Sequence, residues 1–204
     1  MGYKNWRTPH DAGSVYADLD AELRFTLDAA ASHMNALVDK YCTEEGTFDR
    51  SVSEFKGSLC TKISQSNGLS PEAWAGEVVF CNPPYDDILP WAQVSNTRVA
   101  KASVLLLPPS IDTEWYDALW VKAPEGKKLV VVTRDTPEYH AILWQDVDRN
   151  GVYPNRELRF LRHRIRFLRP KHILADGAYD ETDPESVPGD SPRAGNLVVI
   201  TYAR

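Results

Sequence analysis

The sequence predicts an α/β protein of one domain, with a mostly parallel sheet and an antiparallel hairpin at one edge. Short apolar runs, such as residues 102–107, alternate with longer segments of helical periodicity. Two alternating segments near 157–169 follow each other without a helix between them, which predicts the antiparallel edge. The 204 residues, of which 43% are hydrophobic and 25% charged, suit a single globular core, so residues 1–204 are treated as one domain.

Each element follows from a local pattern. Val15, Leu19 and Leu23 lie four residues apart, which predicts a helix over residues 10–24. Further helices are expected through residue 38, over 86–100 and near 112–122. Strands are expected at 25–28, 40–42, 77–81, 102–107, 128–133, twice near 157–169, and at 197–202. Residues 46–76 are predicted to be irregular, and the acidic, Pro-rich stretch 180–193 to be an exposed loop.

The cysteine content indicates the compartment. Cys42, Cys60 and Cys81 are odd in number and lack the spacing of metal ligands, so neither a disulfide framework nor a metal site is expected. The N-terminus has no signal-like apolar region, and no stretch approaches the roughly 18 consecutive apolar residues of a membrane span. We therefore expect a cytoplasmic protein with no membrane contact.

The charge is unevenly distributed. A net charge of −6 argues at first against a polyanionic partner. However, residues 156–172, RELRFLRHRIRFLRPKH, are strongly basic, whereas residues 176–190 contain acids and no bases. The basic segment 156–172 is the place where a polyanion could bind.

The stretch VVFCNPPYDDILPW, residues 78–91, ends a buried-looking strand with an amide, two prolines and an aromatic ring. One interpretation is a rigid turn, because proline fixes φ and asparagine favours turns. The other is a binding site, in which Pro83 and Pro84 stiffen the backbone and the Asn82 oxygen and the Pro83 carbonyl accept from one amine. Tyr85 would then stack on the heterocycle that carries the amine, a contact worth roughly 1–3 kcal/mol per base.

Polar residues follow three of the predicted strands. Asp28, the pair Glu44 and Glu45, and Asn82 each lie at or just past a predicted strand end. In an open α/β sheet, ligands bind beyond the carboxyl ends of the strands, near the topological switch point. The sequence therefore predicts that these side chains share one site.

Six sequence blocks stand in order along the chain: WRTP at 6–9, FTLDAAASHMNA at 25–36, YCTEE at 41–45, NPPY at 82–85, LLLPPSIDTEWY at 105–116 and HRIRF at 163–167. In this order they resemble a known family, the phage-type (Dam-like) DNA N-6-adenine methyltransferases, which use S-adenosylmethionine. NPPY alone also occurs in protein-glutamine and some RNA methyltransferases, whereas the ordered set is more specific. The resemblance implies a Rossmann-like methyltransferase fold and transfer of a methyl group to adenine N6 in DNA, without a metal.

The resemblance also implies residue roles in catalysis. Asn82, Pro83, Pro84 and Tyr85 would form the catalytic motif, with Asn82 and the Pro83 carbonyl holding N6 in line with the methyl group. In duplex DNA the adenine must first be flipped out, and Tyr85 would hold it.

Cofactor contacts are implied near the first strand. Asp28 would accept from the ammonium of the methionine part, and the small residues Ala29 and Ala30 would allow its close approach. From spacing alone, this Ala-rich run is equally typical of a helix start. By the resemblance, Thr8 and Pro9 would line the same pocket.

Two further cofactor contacts are implied. Glu44 or Glu45 would accept the ribose hydroxyls, and two adjacent acids cannot be told apart by sequence. Asn67 aligns with the position that contacts the cofactor's adenine, and Asp49 is its competitor. The family passes directly to this position, whereas here extra residues within 46–76 form either a flexible insertion or part of DNA recognition.

The resemblance assigns DNA contact to Arg162, Arg164 and Arg166. Arg164 and Arg166 alternate with apolar residues, so on a strand one face would be charged. Arginines on an edge strand can also simply prevent edge pairing. The chain has little room for a separate recognition domain, so either the loops 46–76 and 134–156 recognise the target or the protein acts as a homodimer instead of a monomer. A methyltransferase acting on RNA or protein glutamine, or an inactive DNA-binding protein, are the alternatives.

Overall fold

The computed structural model describes residues 15–33, 35–52, 60–119, 129–137, 139–148, 151–162, 168–170, 186–188 and 197–203. The described helices are α1 (Val15–Leu23), α2 (Pro71–Trp74), α3 (Leu89–Thr97) and α4 (Glu114–Leu119). The described strands are β1 (Leu27–Asp28), β2 (Lys40–Thr43), β3 (Gly46–Asp49), β4 (Thr61–Ser64), β5 (Val78–Cys81), β6 (Ala102–Leu107), β7 (Leu129–Asp135), β8 (Tyr139–Asp148), β9 (Gly151–Leu161), β10 (Leu168–Pro170), β11 (Ser186–Pro188) and β12 (Leu197–Tyr202).

The main sheet has ten strands, in the order β4-β3-β2-β1-β5-β6-β12-β9-β8-β7. Among the described strands, parallel pairing is confined to β2–β1, β1–β5 and β5–β6. The other pairs of this sheet are antiparallel. The prediction of a Rossmann-like methyltransferase fold with a mostly parallel sheet is therefore wrong: the described residues form a mixed, mostly antiparallel sheet with few helices.

Short connections explain the antiparallel majority. β2 and β3 are joined by the two-residue turn Glu44–Glu45, and only antiparallel neighbours can be joined so directly. The same holds for β7 with β8 and for β8 with β9, which follow each other closely along the chain. The sequence interpretation treated 46–76 as irregular, but this range contains β3, β4 and α2. It also treated 134–156 as loops, but all of β8 and the first part of β9 lie there.

Other local predictions hold to different degrees. β6 and β12 coincide with the predicted strands 102–107 and 197–202, because both are apolar runs with a single small polar residue each. The helix expected through residue 38 is wrong, since the described residues after β1 form turns and bends. Ser186–Pro188, within the predicted loop 180–193, pair with β10, and the rest of that loop lies outside the described residues.

The centre of the sheet is buried on both faces. Phe80 and Val104 pack with α1 on one face, whereas Val79 and Leu105 pack with α2, α3 and α4 on the other. This alternation along β5 and β6 follows from the twofold periodicity of a strand. Helices and strands thus shield the central strands, so polar side chains at the strand ends lie in surroundings of low polarity. None of the helices in the described ranges is long and apolar enough to cross a membrane.

Candidate functional site

The carboxyl ends of four central strands meet at one edge of the sheet. β2, β1, β5 and β6 run in the same direction, with Asp28 level with both Tyr41 and Phe80. The chain continues this pairing past β1, because the Ala29 amide donates to the Phe80 carbonyl at 2.8 Å. The prediction that Asp28, Glu44, Glu45 and Asn82 lie at strand ends on one edge agrees with this geometry.

Asp28 ends β1 as a buried carboxyl, 3% exposed. Its Oδ2 accepts from the Leu37 amide at 3.0 Å. Its Oδ1 is buried and has no hydrogen-bond partner within the described part of the chain. Burial raises the pKa of Asp28 to about 6, although hydrogen bonding by the Leu37 and Ala30 amides and the positive charge of Arg50 oppose the rise. A carboxylate left in this state is suited to a cationic ligand.

Asn82 follows β5 and presents a second buried oxygen. Its Oδ1 also lacks a hydrogen-bond partner among the described residues. Buried polar atoms are normally paired, so each exception requires an explanation. Asp28 ends β1 and Asn82 directly follows β5, and these two strands are parallel neighbours. Two acceptors without a partner among the described residues therefore lie at the ends of neighbouring parallel strands.

A turn overlaps the end of the NPPY segment. The Asp87 amide donates to the Pro84 carbonyl at 3.3 Å, so this turn spans residues 84–87, and Pro83 is buried ahead of it. Asn82 and Pro83 connect the end of β5 to the turn, and the two prolines restrict the backbone there. Tyr85 is half-buried and packs against the apolar clusters on both faces of the sheet. This packing holds the Tyr85 ring in place, and Tyr85 follows Asn82 closely in the sequence.

The small residues after Asp28 give the site its shape. Ala29 is buried and Ala30 is half-buried against the same apolar cluster. Glu44 and Glu45 are exposed in the turn at the end of β2, where the Glu45 amide donates to the Thr43 hydroxyl at 3.1 Å. The carboxylates of Glu44 and Glu45 therefore lie at the rim of this edge, and Asp28 lies inside it.

Asn67 is brought to this edge, but its side-chain oxygen is already in use. Oδ1 accepts from the Leu69 amide at 3.1 Å and from the Ser70 hydroxyl at 3.3 Å. The competitor Asp49 likewise accepts from the Ser51 amide at 2.8 Å and from the Ser51 hydroxyl at 2.6 Å. Oδ1 of each side chain thus stabilises a local turn.

Four of the residues predicted to bind the cofactor or DNA lie outside the described residues. They are Thr8 and Pro9 of the cofactor prediction and Arg164 and Arg166 of the DNA prediction. Arg162 is exposed at the end of β9, which runs to the same edge as β5 and β6. It contacts the Asp135 carboxylate and donates to the Thr136 carbonyl at 3.1 Å.

Two other arginines of the basic segment 156–172 are structural. Arg156 is 2% exposed and donates to the Thr201 hydroxyl, to the Leu119 carbonyl and, at 2.6 Å, to Asn96 Oδ1. The expectation that this whole segment faces a polyanion is therefore wrong at Arg156, because its guanidinium is enclosed by the protein.

Arg159 is enclosed in the same way. It is 3% exposed and forms two hydrogen bonds of 2.6 Å to the Glu22 carboxylate of α1. Glu157, also buried, accepts from Arg159 at 2.7 Å and from Arg134 at 2.6 Å. These contacts anchor α1 to β9, so Arg159 stabilises the fold and is not available to DNA.

Sequence reasoning missed the partner of Asp28. Leu37 contributes a backbone amide, and no side-chain pattern marks such a donor. It also missed the packing of Gly68 against Ala29, although a glycine between Asn67 and Leu69 is a signal of close backbone approach.

Comparisons with family models, curated proteins and solved structures returned no match to this chain.

Proposed function

We propose that this protein transfers a methyl group from S-adenosylmethionine to the N6 amino group of adenine in DNA. The observation that carries the proposal is a pair of buried oxygens, Asp28 Oδ1 and Asn82 Oδ1, which have no hydrogen-bond partner in the described part of the chain and lie at the ends of adjacent parallel strands. One suits a cation, and the other suits an N–H donor.

Asp28 fits the cationic part of the cofactor. When bound, S-adenosylmethionine supplies an electrophilic methyl group on its sulfonium. Asp28 Oδ1 would accept from the ammonium of the methionine part, while Oδ2 keeps its bond to the Leu37 amide. Ala29 and Ala30 leave room for close approach, and Glu44 or Glu45 at the rim would accept the ribose hydroxyls. A buried carboxylate is stabilised by such a cation far more than an exposed one, because little water competes.

Asn82 fits the amine that receives the methyl group. An amino group on adenine is a poor nucleophile, since its lone pair is delocalised into the ring. Asn82 Oδ1, together with the Pro83 carbonyl, would accept both N6 protons and favour a tetrahedral nitrogen. Pro83 and Pro84 limit the movement of these acceptors, so the contribution is one of positioning and electrostatics. Tyr85 would pack against the flipped base.

DNA would approach the same edge of the sheet. β9 ends there at Leu161, so Arg162 lies at the edge of the sheet where Asn82 lies. Phosphate contacts by Arg164 and Arg166 would be salt-dependent and independent of sequence. We place this activity in the cytoplasm, with the protein as a monomer or a homodimer.

The test is a methylation assay with labelled S-adenosylmethionine and unmethylated DNA, followed by nucleoside analysis. Label in N6-methyladenine supports the proposal, whereas failure of the wild-type protein to bind S-adenosylmethionine in calorimetry contradicts it. Asn82→Ala should lower kcat by about 10²-fold or more, the loss seen when one charge-stabilising contact is removed. The affinity for S-adenosylmethionine should change little. Gln93→Ala, an exposed amide on α3, is the matched control and should keep the wild-type rate.

A second substrate is favoured by the charge around the site. Glu44, Glu45, Asp86, Asp87 and Asp112 are exposed in the connections that leave the edge after β2, β5 and β6. Acids repel phosphates and attract cationic surfaces, so this rim favours glutamine in a basic protein as the acceptor. Its side-chain amide has the two N–H groups that Asn82 and Pro83 would hold. Label recovered in methylglutamine after acid-free hydrolysis, with none in DNA, would establish this alternative.

A further inference from the structure

Hydrogen bonds from β3 and α2 hold the segment 66–70, which lies between β4 and α2. The Thr47 hydroxyl of β3 donates to the Ser66 carbonyl at 2.6 Å. The Trp74 indole donates to the Gly68 carbonyl at 2.8 Å, and Trp74 is fully buried. Internally, the Ser70 amide donates to the Asn67 carbonyl at 3.0 Å. These bonds hold segment 66–70 in one conformation.

Gly68 is the point at which this segment meets the candidate site. A Cβ built on Gly68 would lie 1.9 Å from the Ala29 carbonyl oxygen and 2.8 Å from the Trp91 ring. Real Cβ atoms do not approach other heavy atoms so closely, and the Ala29 oxygen belongs to the backbone, so it cannot swing away as a side chain would. Only glycine allows this close approach.

Ala29 in turn is part of the site. It follows Asp28 directly, is 1% exposed, and donates its amide to the Phe80 carbonyl at 2.8 Å. Its amide is therefore held by β5, and its carbonyl oxygen lies against Gly68. The Ala29 carbonyl shares a rigid peptide unit with the Ala30 amide. That amide acts on the Asp28 carboxyl as a hydrogen-bond donor, so a movement of the Ala29 carbonyl would disturb the Asp28 carboxyl.

We propose that Gly68 is a positioning residue of this site, where it holds the backbone after β1 and so sets the direction of the Asp28 carboxylate. The inference extends the proposed function, since it assigns the segment 66–70 to the cofactor side of the site. Asn67, whose oxygen is used in a turn, then acts by shaping this segment and not by binding the cofactor's adenine. The extra residues within 46–76 therefore lead into segment 66–70, and this segment supports the site.

The experiment compares Gly68→Ala with Gly76→Ala. At Gly76 φ is +74° and a built Cβ meets nothing within 4 Å, so this control carries backbone strain without a collision. In the absence of ligand, hydrogen exchange should show the Ala29 amide of Gly68→Ala exchanging about tenfold faster, with β12 unchanged. In calorimetry, Gly68→Ala should weaken S-adenosylmethionine binding by about tenfold to a hundredfold, the range expected when a positioned group moves by about 1 Å. Gly76→Ala should show neither effect.

Trp74→Phe is the second variant, for the case that Gly68→Ala does not fold. It removes the N–H donor to the Gly68 carbonyl and keeps an aromatic ring in the core. Trp74→Phe should also make the Ala29 amide exchange faster and weaken S-adenosylmethionine binding, but each change should be smaller than in Gly68→Ala. If a folded variant leaves both the Ala29 exchange rate and the S-adenosylmethionine affinity at wild-type values, the inference is overturned. If the exchange result is obtained but wild-type protein does not bind S-adenosylmethionine, Gly68 positions the site and the proposed function fails.

Discussion

Replacement of Asp28 by asparagine should stabilise the protein at pH 8 and have little effect on stability near pH 4. Asp28 is enclosed at the end of β1, and one of its oxygens has no partner among the described residues. The asparagine oxygen can still accept from the Leu37 amide, so the substitution removes a charge and keeps the shape and this hydrogen bond.

The magnitude follows from the pKa of Asp28. Burial raises it from 3.8 to about 6, so the folded protein binds a proton more tightly than the unfolded chain. Stability from this group is therefore fully present below pH 3.8 and is lost as the pH rises through 6. A pKa increase of this size corresponds to about 3 kcal/mol of lost stability at pH 8, at 1.36 kcal/mol per pKa unit. Asp28→Asn should recover up to that amount.

The measurement is the free energy of unfolding by urea, taken from pH 4 to pH 8 for the wild type and Asp28→Asn. The difference between them should increase with pH and level off above pH 6 to 7. Asp39→Asn, which changes an exposed carboxyl nearby, is the control and should show no such dependence. A constant difference at all pH values, or destabilisation at pH 8, would refute the account of Asp28 as a buried, uncompensated charge.

The same substitution tests the role of Asp28 in binding. If its carboxylate holds the ammonium of S-adenosylmethionine, the wild-type affinity should increase as the pH rises through 6, because the carboxyl must be ionised. Asp28→Asn should lose both the affinity and its pH dependence. The variant would then be more stable and less able to bind, as expected for a charge kept for function.

Two other changes test the structure away from the site. Arg156→Met should lower the free energy of unfolding by about 3 kcal/mol, because it leaves the Leu119 carbonyl and Asn96 Oδ1 without their donor; an unchanged midpoint in urea with weakened DNA binding would instead place Arg156 at the surface. A thiol reagent should modify Cys60 alone in the native protein, since Cys42 and Cys81 are buried and burial raises the pKa of the Cys42 thiol to about 11. Mass spectrometry of the labelled peptides checks this, and rapid labelling of Cys81 would contradict the packing at the end of β5.

Local patterns predicted many of the elements. The apolar runs 102–107 and 197–202 match β6 and β12, and the run before Asn82 matches β5, because largely apolar segments form strands buried on both faces. The polar residues Asp28 and Asn82 at the ends of such runs were correctly placed at the edge of the sheet. β3, β4 and β8 were missed because their sequences mix polar and apolar residues, and their stability depends on the strands beside them.

The candidate site was predicted only in part. Asp28 and Asn82 are polar residues next to buried strands, and that contrast is visible in the sequence. Asn67 was assigned to the cofactor, but its oxygen stabilises the turn before α2. The fit of Gly68 against Ala29 joins two segments far apart in the chain, so the local sequence can signal a close approach at Gly68 but cannot name Ala29 as its partner.

The sequence by itself determined where the central strands begin and end, and that a carboxyl and an amide would end two of them, because strand formation and termination depend on neighbouring residues. Only the tertiary structure decided that these two strands are adjacent and parallel, that the sheet is mostly antiparallel around them, and that Arg156 and Arg159 are buried. These outcomes depend on which distant segments pair and on which surfaces they cover. The same packing leaves Oδ1 of Asp28 and Oδ1 of Asn82 without hydrogen-bond partners among the described residues, and that property makes them the candidate site.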